Sequence, residues 1–238
     1  MAKTVIFDVD NTLYDYDSAH REAYRALTQY ACASFRLTPE RFDALHRGAN
    51  AELCARVGKN SAVIHNRLIR YQLMLEKLGQ LIAHAPRMAE LYWSTLLDHA
   101  RAYPGTLEGI AQLRDAGFRI GVGTNMTADY QFAKLERLGL MADVDFLVTS
   151  EEIGAEKPDA RFFAFCAAKS GFDAAECVFV GDDAEKDVSG AIRAGMQAVW
   201  FCPAEPSAQT DVRAPRIRAL TELCALLSPP QSEGVEAP

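Results

Sequence analysis

The stretch VIFDVDNTLYDYD, residues 5–17, begins as an apolar strand and turns acidic at Asp8. Asp10 follows two positions later, and side chains at that spacing point to the same face of an extended backbone. Two carboxylates on one face repel each other, so the segment requires a compensating positive charge. A divalent cation is the first candidate. The stretch therefore predicts a metal site at the end of the first strand.

Composition restricts the class of protein. The chain has 238 residues, of which 49% are hydrophobic and 24% are charged, as is typical of a globular protein with a buried core. Its net charge of -7 argues against a large basic surface for nucleic acid. No apolar run is long enough to span a membrane or uninterrupted enough to be a signal peptide. We expect a cytoplasmic protein that binds neither nucleic acid nor membranes, and the sequence does not predict its oligomeric state.

Two different patterns of apolar residues divide the chain. Residues 16–100 have the periodicity of four or so amphipathic helices, whereas short apolar strands alternate with helices from Pro104 onward. The alternation predicts an α/β fold with a doubly wound, Rossmann-like parallel sheet. We therefore expect a core domain at 1–15 and 101–228, an inserted all-α domain at 16–100, and a frayed, Pro-rich tail at 229–238.

Polar side chains follow several of the predicted strands. Thr124 and Asn125 end the strand IGVGTN, and Asp182 and Asp183 end the strand FVGDD. Lys157 stands in EKPDA, just before a predicted helix. Because ligands of doubly wound sheets bind beyond the carboxyl ends of the strands, we expect these side chains to meet the first pair of aspartates there. The last helix of the chain is predicted in RIRALTELCALL, residues 216–227.

The motifs DVDNT, TN, EKPD and GDDAEKD stand in an order and spacing that resembles the haloacid dehalogenase-like (HAD) hydrolase superfamily. The resemblance extends from about residue 4 to 202, and the insertion at 16–100 is placed as in members with a helical cap between the first two motifs. It implies a hydrolase, namely a Mg²⁺-dependent phosphatase that acts on a small phosphorylated metabolite through an aspartyl phosphate.

The resemblance implies a role for each residue that binds or attacks the substrate. Asp8 would be the nucleophile, and Asp10 would be the general acid and then the general base. Lys157 would stabilise the phosphoryl group and keep Asp8 ionised. Thr124 would donate a hydrogen bond to a phosphoryl oxygen, with the main-chain N–H of Asn125 beside it.

The resemblance also implies which residues hold the metal. Mg²⁺ would be bound by Asp8, by the main-chain carbonyl of Asp10 and by Asp182, since oxygen ligands suit a hard cation. Asp183 and Asp187 would support Lys157 and the water ligands of the metal. A direct contact between Asp183 and the metal is left open.

Several activities of the superfamily stay open at this point. Dehalogenases need no acid for a halide and bind no Mg²⁺, and phosphonate-cleaving members lack the second aspartate, so Asp10 disfavours both. A phosphomutase or a catalytically idle binding protein is an alternative. Among phosphatases, DNTLYDYD is somewhat similar to nucleoside 5′-monophosphate phosphatases, with sugar-phosphate and phosphoglycolate phosphatases as rivals. We expect the cap to choose among these substrates.

Overall fold

A six-stranded sheet organises the computed structural model, which describes residues 2–204 and 213–227. In chain order the strands are β1 (Thr4–Phe7), β2 (Arg119–Thr124), β3 (Phe146–Thr149), β4 (Cys177–Gly181), β5 (Gln197–Phe201) and β6 (Arg216–Ile217). They lie side by side in the order β3-β2-β1-β4-β5-β6, and every neighbouring pair is parallel. This topology confirms the predicted doubly wound α/β class.

Helices connect the strands. They are α1 (Tyr16–Phe35), α2 (Pro39–Val57), α3 (Arg67–Leu78), α4 (His84–His99), α5 (Thr106–Asp115), α6 (Ala128–Arg137), α7 (Ser150–Ile153), α8 (Ala160–Ser170), α9 (Gly190–Arg193) and α10 (Glu222–Leu227). A 3₁₀ turn at Ala62–His65 precedes α3, and a π-helical turn at Ala184–Ser189 leads into α9. No helix of the described residues combines the length and the apolar character that crossing a bilayer requires.

Side chains alternate across the central strand and bury both faces of the sheet. Val5 and Phe7 belong to one hydrophobic cluster, whereas Ile6 belongs to a second cluster with Phe163 of α8 and Phe179 of β4. All of them are fully buried, and each contributes roughly 1.5–3 kcal/mol relative to an exposed position. The rigid strands thereby fix the backbone at their carboxyl ends.

Helices α1–α4, together called the helical segment below, occupy the region where the sequence predicted an inserted all-α domain. Within it α1 packs most extensively against α4. Buried residues of these helices, including Leu27 and Leu96, continue the cluster that contains Val5 and Phe7. The status of the helical segment as a separate cap domain, with boundaries at residues 16 and 100, stays a prediction.

The first turn of α1 follows directly on the acidic motif. Asp15 caps this helix, since its side chain accepts a hydrogen bond from the backbone N–H of Ser18. This cap was not predicted from the sequence. It places Tyr16 and Asp17 in the first turn of α1, close to the carboxyl end of β1.

The carboxyl-terminal region differs from the predicted helix at residues 216–227. Arg216 and Ile217 instead form β6, which pairs with Trp200 and Phe201, and the helix begins only at Glu222. The Glu222 side chain accepts hydrogen bonds from two preceding backbone N–H groups, which fixes the helix start. A strand of two residues is too short to show a period. The predicted tail at 229–238 lies outside the described residues.

Candidate active site

The carboxyl ends of β1, β2 and β4 surround a pocket of about 260 Å³. Strand β1 lies between the other two, so the strand order reverses at this point, where doubly wound sheets bind their ligands. All the site residues predicted from the sequence line the pocket: Asp8, Asp10, Thr124, Asn125, Lys157, Asp182, Asp183 and Asp187. Tyr16 and Asp17 of α1 line it from the helical segment.

Asp8 is buried one residue beyond the end of β1 and forms an ion pair with Lys157. The Lys157 Nζ atom lies 2.5 Å from Asp8 Oδ1 and 2.7 Å from Asp187 Oδ1. Burial raises the pKa of Asp8 to about 6, although the nearby ammonium opposes the rise. Burial alone would lower the pKa of Lys157, but Asp187 and Asp8 together raise it above the ordinary value. Lys157 is therefore a fixed positive charge beside Asp8.

Asn125 holds the backbone of Lys157. Its Oδ1 atom accepts a hydrogen bond from the Lys157 N–H at 2.8 Å, and its Nδ2 atom donates to the Lys157 carbonyl at 3.3 Å. Only the main chain of Asn125 was predicted to take part in the site. Its side-chain amide orients the loop that carries the lysine, because it binds both the backbone N–H and the backbone carbonyl of Lys157.

Three carboxylates form an acidic cluster next to the ion pair. Oxygen atoms of Asp8, Asp182 and Asp187 all lie within 4.8 Å of one another. Burial raises the pKa of Asp182 to about 8, and the charges of the other two carboxylates add to the rise. Asp187 was predicted to have only a supporting role, whereas its carboxylate lies in the cluster itself.

Asp183 points away from this cluster, toward the π-helical turn that follows it. Its Oδ1 atom accepts hydrogen bonds from the N–H groups of Glu185 and Lys186, at 3.0 and 2.9 Å. Partial burial opposes it, but these donors hold the pKa of Asp183 below the ordinary value. Its own N–H donates to Asp187 Oδ2 at 3.0 Å, so Asp183 also fixes Asp187.

Comparison with known proteins identifies the family of the chain. A family model described as haloacid dehalogenase-like hydrolase matches residues 2–195. The chain belongs to this family. It is 35% identical over 218 residues to a ribulose-1,5-bisphosphate 5-phosphatase of Halopiger xanaduensis, with 89% of each chain covered. It is 29% identical to a pyrimidine 5′-nucleotidase of Escherichia coli, with 83% of this chain and 84% of the relative covered.

Solved structures of HAD hydrolases share the fold. The chain superposes on a 2-haloacid dehalogenase of Pseudomonas syringae pv. tomato with a TM-score of 0.75 and 28% identity. The alignment covers 95% of this chain and 98% of that one. The similarity therefore includes the helical segment as well as the sheet.

Two buried residues of α6 join the HAD motif residues and were missed by the sequence analysis. The Lys134 Nζ atom lies 2.7 and 2.9 Å from the two carboxylate oxygens of Asp10. Gln131 Nε2 donates to Thr124 Oγ1 at 3.0 Å. Both side chains are fully buried on the face of α6 that also carries Leu135. A lysine and a glutamine at core positions of an amphipathic helix are the signal that could have found them.

The negative charges of Asp8 and Asp10 are offset by lysines, whereas the sequence predicted a divalent cation in this place. Strand β1 ends at Phe7, so Asp8 and Asp10 are not two strand residues on one face. Each carboxylate has its own lysine, Lys157 or Lys134, and these come from separate parts of the chain. The repulsion between the two aspartates does not by itself require a metal ion. The argument for a metal rests instead on the acidic cluster.

Gly181 at the end of β4 gives Asp187 the space to reach Lys157. A Cβ atom on Gly181 would lie 2.3 Å from Asp187 Oδ2, far inside van der Waals contact. We expect Gly181→Ala to displace Asp187 and to lower the free energy of unfolding by about 1–3 kcal/mol, as overpacking of a buried site does. Unfolding in urea, followed by circular dichroism, measures the change.

Gly48→Ala is the matched control for this substitution. Gly48 lies inside α2 with nothing within 4 Å of the added methyl group, so alanine should stabilise the helix by about 0.5–1 kcal/mol. Equal effects of the two substitutions would contradict the role of Gly181.

Proposed function

We propose that the protein is a Mg²⁺-dependent phosphomonoester hydrolase that acts on a small phosphorylated metabolite. The observation that carries the proposal is the presence of two aspartates with separate lysine partners in one pocket. Asp8 is buried beside Lys157, whereas the Asp10 side chain is 25% exposed beside Lys134. Nucleophilic displacement followed by hydrolysis needs two carboxylates in different environments. Relatives of the chain named as phosphatases support the same activity.

In the first step the Asp8 carboxylate attacks the phosphorus atom. Lys157 occupies Oδ1, so Oδ2 is the attacking oxygen and becomes the bridge of the aspartyl phosphate. The bond between phosphorus and the leaving oxygen breaks, and Asp10 supplies the proton that makes the product a neutral alcohol. Asp10 lines the pocket within reach of a phosphate ester bound at Asp8.

In the second step Asp10 is the base. It takes back a proton from water, which attacks the phosphorus atom of the aspartyl phosphate. The bond from phosphorus to Oδ2 breaks, so inorganic phosphate leaves and the Asp8 carboxylate is restored. One water molecule is consumed and Asp10 ends in the protonation state in which it began.

The phosphoryl oxygens have donors in the pocket. Gln131 donates to Thr124 Oγ1, so this hydroxyl is already an acceptor and its own proton is available for a phosphoryl oxygen. The Lys157 ammonium adds a positive charge that strengthens as the transferring group gains charge. The main-chain N–H of Asn125 lies beside Thr124 at the same edge of the sheet.

The acidic cluster fits Mg²⁺. Asp8 and Asp182 would hold the ion, with the main-chain carbonyl of Asp10 as a further oxygen, and Asp187 would orient its water ligands. Burial raises the pKa values of Asp8 and Asp182, and neighbouring carboxylates add to the rise, so a bound cation would stabilise the charged form of both groups. When bound, the ion would neutralise charge on the phosphoryl oxygens and so lower the barrier to attack by a carboxylate.

The helical segment is proposed to be a cap that selects the leaving group. It contributes Tyr16 and Asp17 to the pocket wall, while the phosphate-binding residues come from the sheet. The names of the relatives include both a sugar bisphosphate and pyrimidine nucleotides, which supports a small phosphate ester as the substrate without restricting it to one class.

Hydrolytic dehalogenation is the second candidate because a dehalogenase shares the fold. A halide leaves without a proton, so that reaction needs no general acid and leaves Asp10 and its buried lysine partner without a catalytic role. The retained acid therefore favours phosphate esters.

Asp8→Asn tests the proposal directly. The amide has nearly the same shape but is a poor nucleophile, so hydrolysis of 4-nitrophenyl phosphate with Mg²⁺ should fall by about a thousandfold or more. Circular dichroism should show an intact fold, and Asp129→Asn, at an exposed position of α6, should keep full activity. Retention of more than about a tenth of wild-type kcat, a loss of only ~1.4 kcal/mol, would exclude Asp8 as the nucleophile.

Mg²⁺ binding should release protons, and the affinity for Mg²⁺ should therefore depend on pH. Asp182 and Asp8 have raised pKa values of about 8 and about 6, so at about pH 7 the ion must displace the proton of Asp182. Affinity should therefore rise with pH through this range, with release of roughly one proton at neutral pH. Calorimetric titration in buffers of different ionisation enthalpy measures the protons. Asp182→Asn should abolish the release, and binding without release in the wild type would contradict the site.

A substrate panel tests the cap. Tyr16→Ala alters the pocket wall that the helical segment contributes. The ratio of kcat/KM for sugar phosphates to kcat/KM for nucleoside monophosphates should therefore change by more than about tenfold. Thr124→Ala removes a contact to the shared phosphoryl group and should lower kcat/KM for all substrates by similar factors. If both variants lowered every substrate in the same proportion, the helical segment would have no part in selection.

A further inference from the structure

Lys134 is a fully buried lysine whose ammonium is directed at a single carboxylate. Its Nζ atom lies 2.7 Å from Asp10 Oδ1 and 2.9 Å from Asp10 Oδ2. No other ion pair of Lys134 occurs among the residues that the structure describes. A buried ammonium is costly unless it is paired, and among the described residues Asp10 supplies the negative charge that pairs with Lys134. None of the four sequence motifs contains this lysine.

Tyr14 adds a second donor to the same carboxylate. Its hydroxyl donates to Asp10 Oδ1 at 2.8 Å, and its side chain is fully buried. Burial and the neighbouring Asp10 charge raise the pKa of Tyr14, so this hydroxyl stays protonated and remains a donor. Oδ1 thus receives two donors and Oδ2 receives one, which fixes the plane of the carboxylate.

Aromatic rings of the helical segment cover this arrangement. The Lys134 Nζ atom lies 5.5 Å from the ring centre of Tyr16 in α1 and 5.9 Å from that of Trp93 in α4. Trp93 in turn stacks on Tyr130 of α6, with 3.8 Å between the ring centres. The ring faces attract the ammonium and keep water away from it. The Lys134 ammonium is therefore buried between α6 and the helical segment, beside the partly exposed carboxylate of Asp10.

We propose that Lys134, together with Tyr14, positions Asp10 for proton transfer to the leaving oxygen. The inference rests on the proposed phosphatase activity and adds two residues to it. With two donors on Oδ1, that atom stays an acceptor in both forms of Asp10, and the transferable proton is carried by Oδ2. The proton moves from Asp10 Oδ2 to the leaving oxygen and later returns from water, while Lys134 and Tyr14 exchange no proton.

The consequence that separates positioning from a structural role is selectivity for the leaving group. A poor leaving group such as phenolate depends on the acid, whereas 4-nitrophenolate departs with little help from a proton. The two phosphate esters have almost the same shape, so both meet the same pocket wall. The ratio of kcat/KM for phenyl phosphate to that for 4-nitrophenyl phosphate therefore reports the use of Asp10 as an acid.

The test compares Lys134→Met with the wild type in the full-length, Mg²⁺-supplied enzyme. Methionine has a similar length but no donor. We expect kcat/KM for phenyl phosphate to fall by about 100-fold and that for 4-nitrophenyl phosphate by less than about tenfold, in line with the usual contribution of general acids. An equal fall for both substrates, or a rise for phenyl phosphate, would overturn the proposal. Absence of hydrolysis by the wild type would instead refute the phosphatase activity.

Further variants keep the test decisive if Lys134→Met does not fold. Tyr14→Phe removes one donor without leaving a charge unpaired, and should shift the ratio in the same direction by about threefold to tenfold. In an Asp10→Asn background, Tyr14→Phe should change the ratio no further, because the group that it positions is gone. Additive effects would overturn the proposal.

Lys169→Met is the matched control. Lys169 lies in α8 and pairs with Glu152 at 2.8 Å, outside the pocket lining. We expect this variant to keep the wild-type ratio of the two substrates. A change in the ratio equal to that of Lys134→Met would show that loss of any buried or paired lysine alters the site, which would overturn the specific role.

Discussion

The site depends on the ion pair between Lys157 and Asp8. A carboxylate can be buried at the end of a central strand only where a positive charge reaches it, and here the two atoms lie 2.5 Å apart. The surrounding residues hold this pair in place. Asn125 binds the backbone of Lys157, and Asp187 contacts its ammonium through the space that Gly181 leaves. The fold thus holds the Asp8 carboxylate in a fixed orientation at the point where the strand order reverses.

The two aspartates of the first motif are distinguished by their surroundings. Asp8 is buried, and burial raises its pKa, while Lys157 opposes the rise and the charges of Asp187 and Asp10 add to it. Asp10 is partly exposed and is held by Lys134 of α6 and by Tyr14, four residues along the chain. Identical side chains two residues apart can therefore perform different tasks. The lysine beside each aspartate is distant from it in sequence.

This distance explains what could be predicted from the sequence. The strands are short apolar runs with polar residues at their ends, so the sheet and the convergence of Asp8, Thr124 and Asp182 followed from local pattern and chain order. Lys134 lies within α6 and not at a strand end, so the same pattern gave no sign of its contact with Asp10, 124 positions away. Strand β6 was read as helix since its two residues form a strand only through pairing with β5. Local pattern predicts the elements, and tertiary contacts decide the partners.

The helical segment contacts the surroundings of both Lys134 and Lys157. The rings of Tyr16 and Trp93 cover Lys134.

The loop that follows α2 contacts Glu156, the residue before Lys157. Asn60 Oδ1 accepts a hydrogen bond from the N–H of Glu156 at 2.7 Å, and His65 Nε2 lies 2.8 Å from Glu156 Oε1. Movement of the helical segment away from the sheet would break these contacts and uncover the Asp10 pair at the same time. Water exclusion, the orientation of Lys157 and the orientation of Asp10 would change together in such a movement, because the helical segment and its α2–α3 loop contact residues beside both lysines.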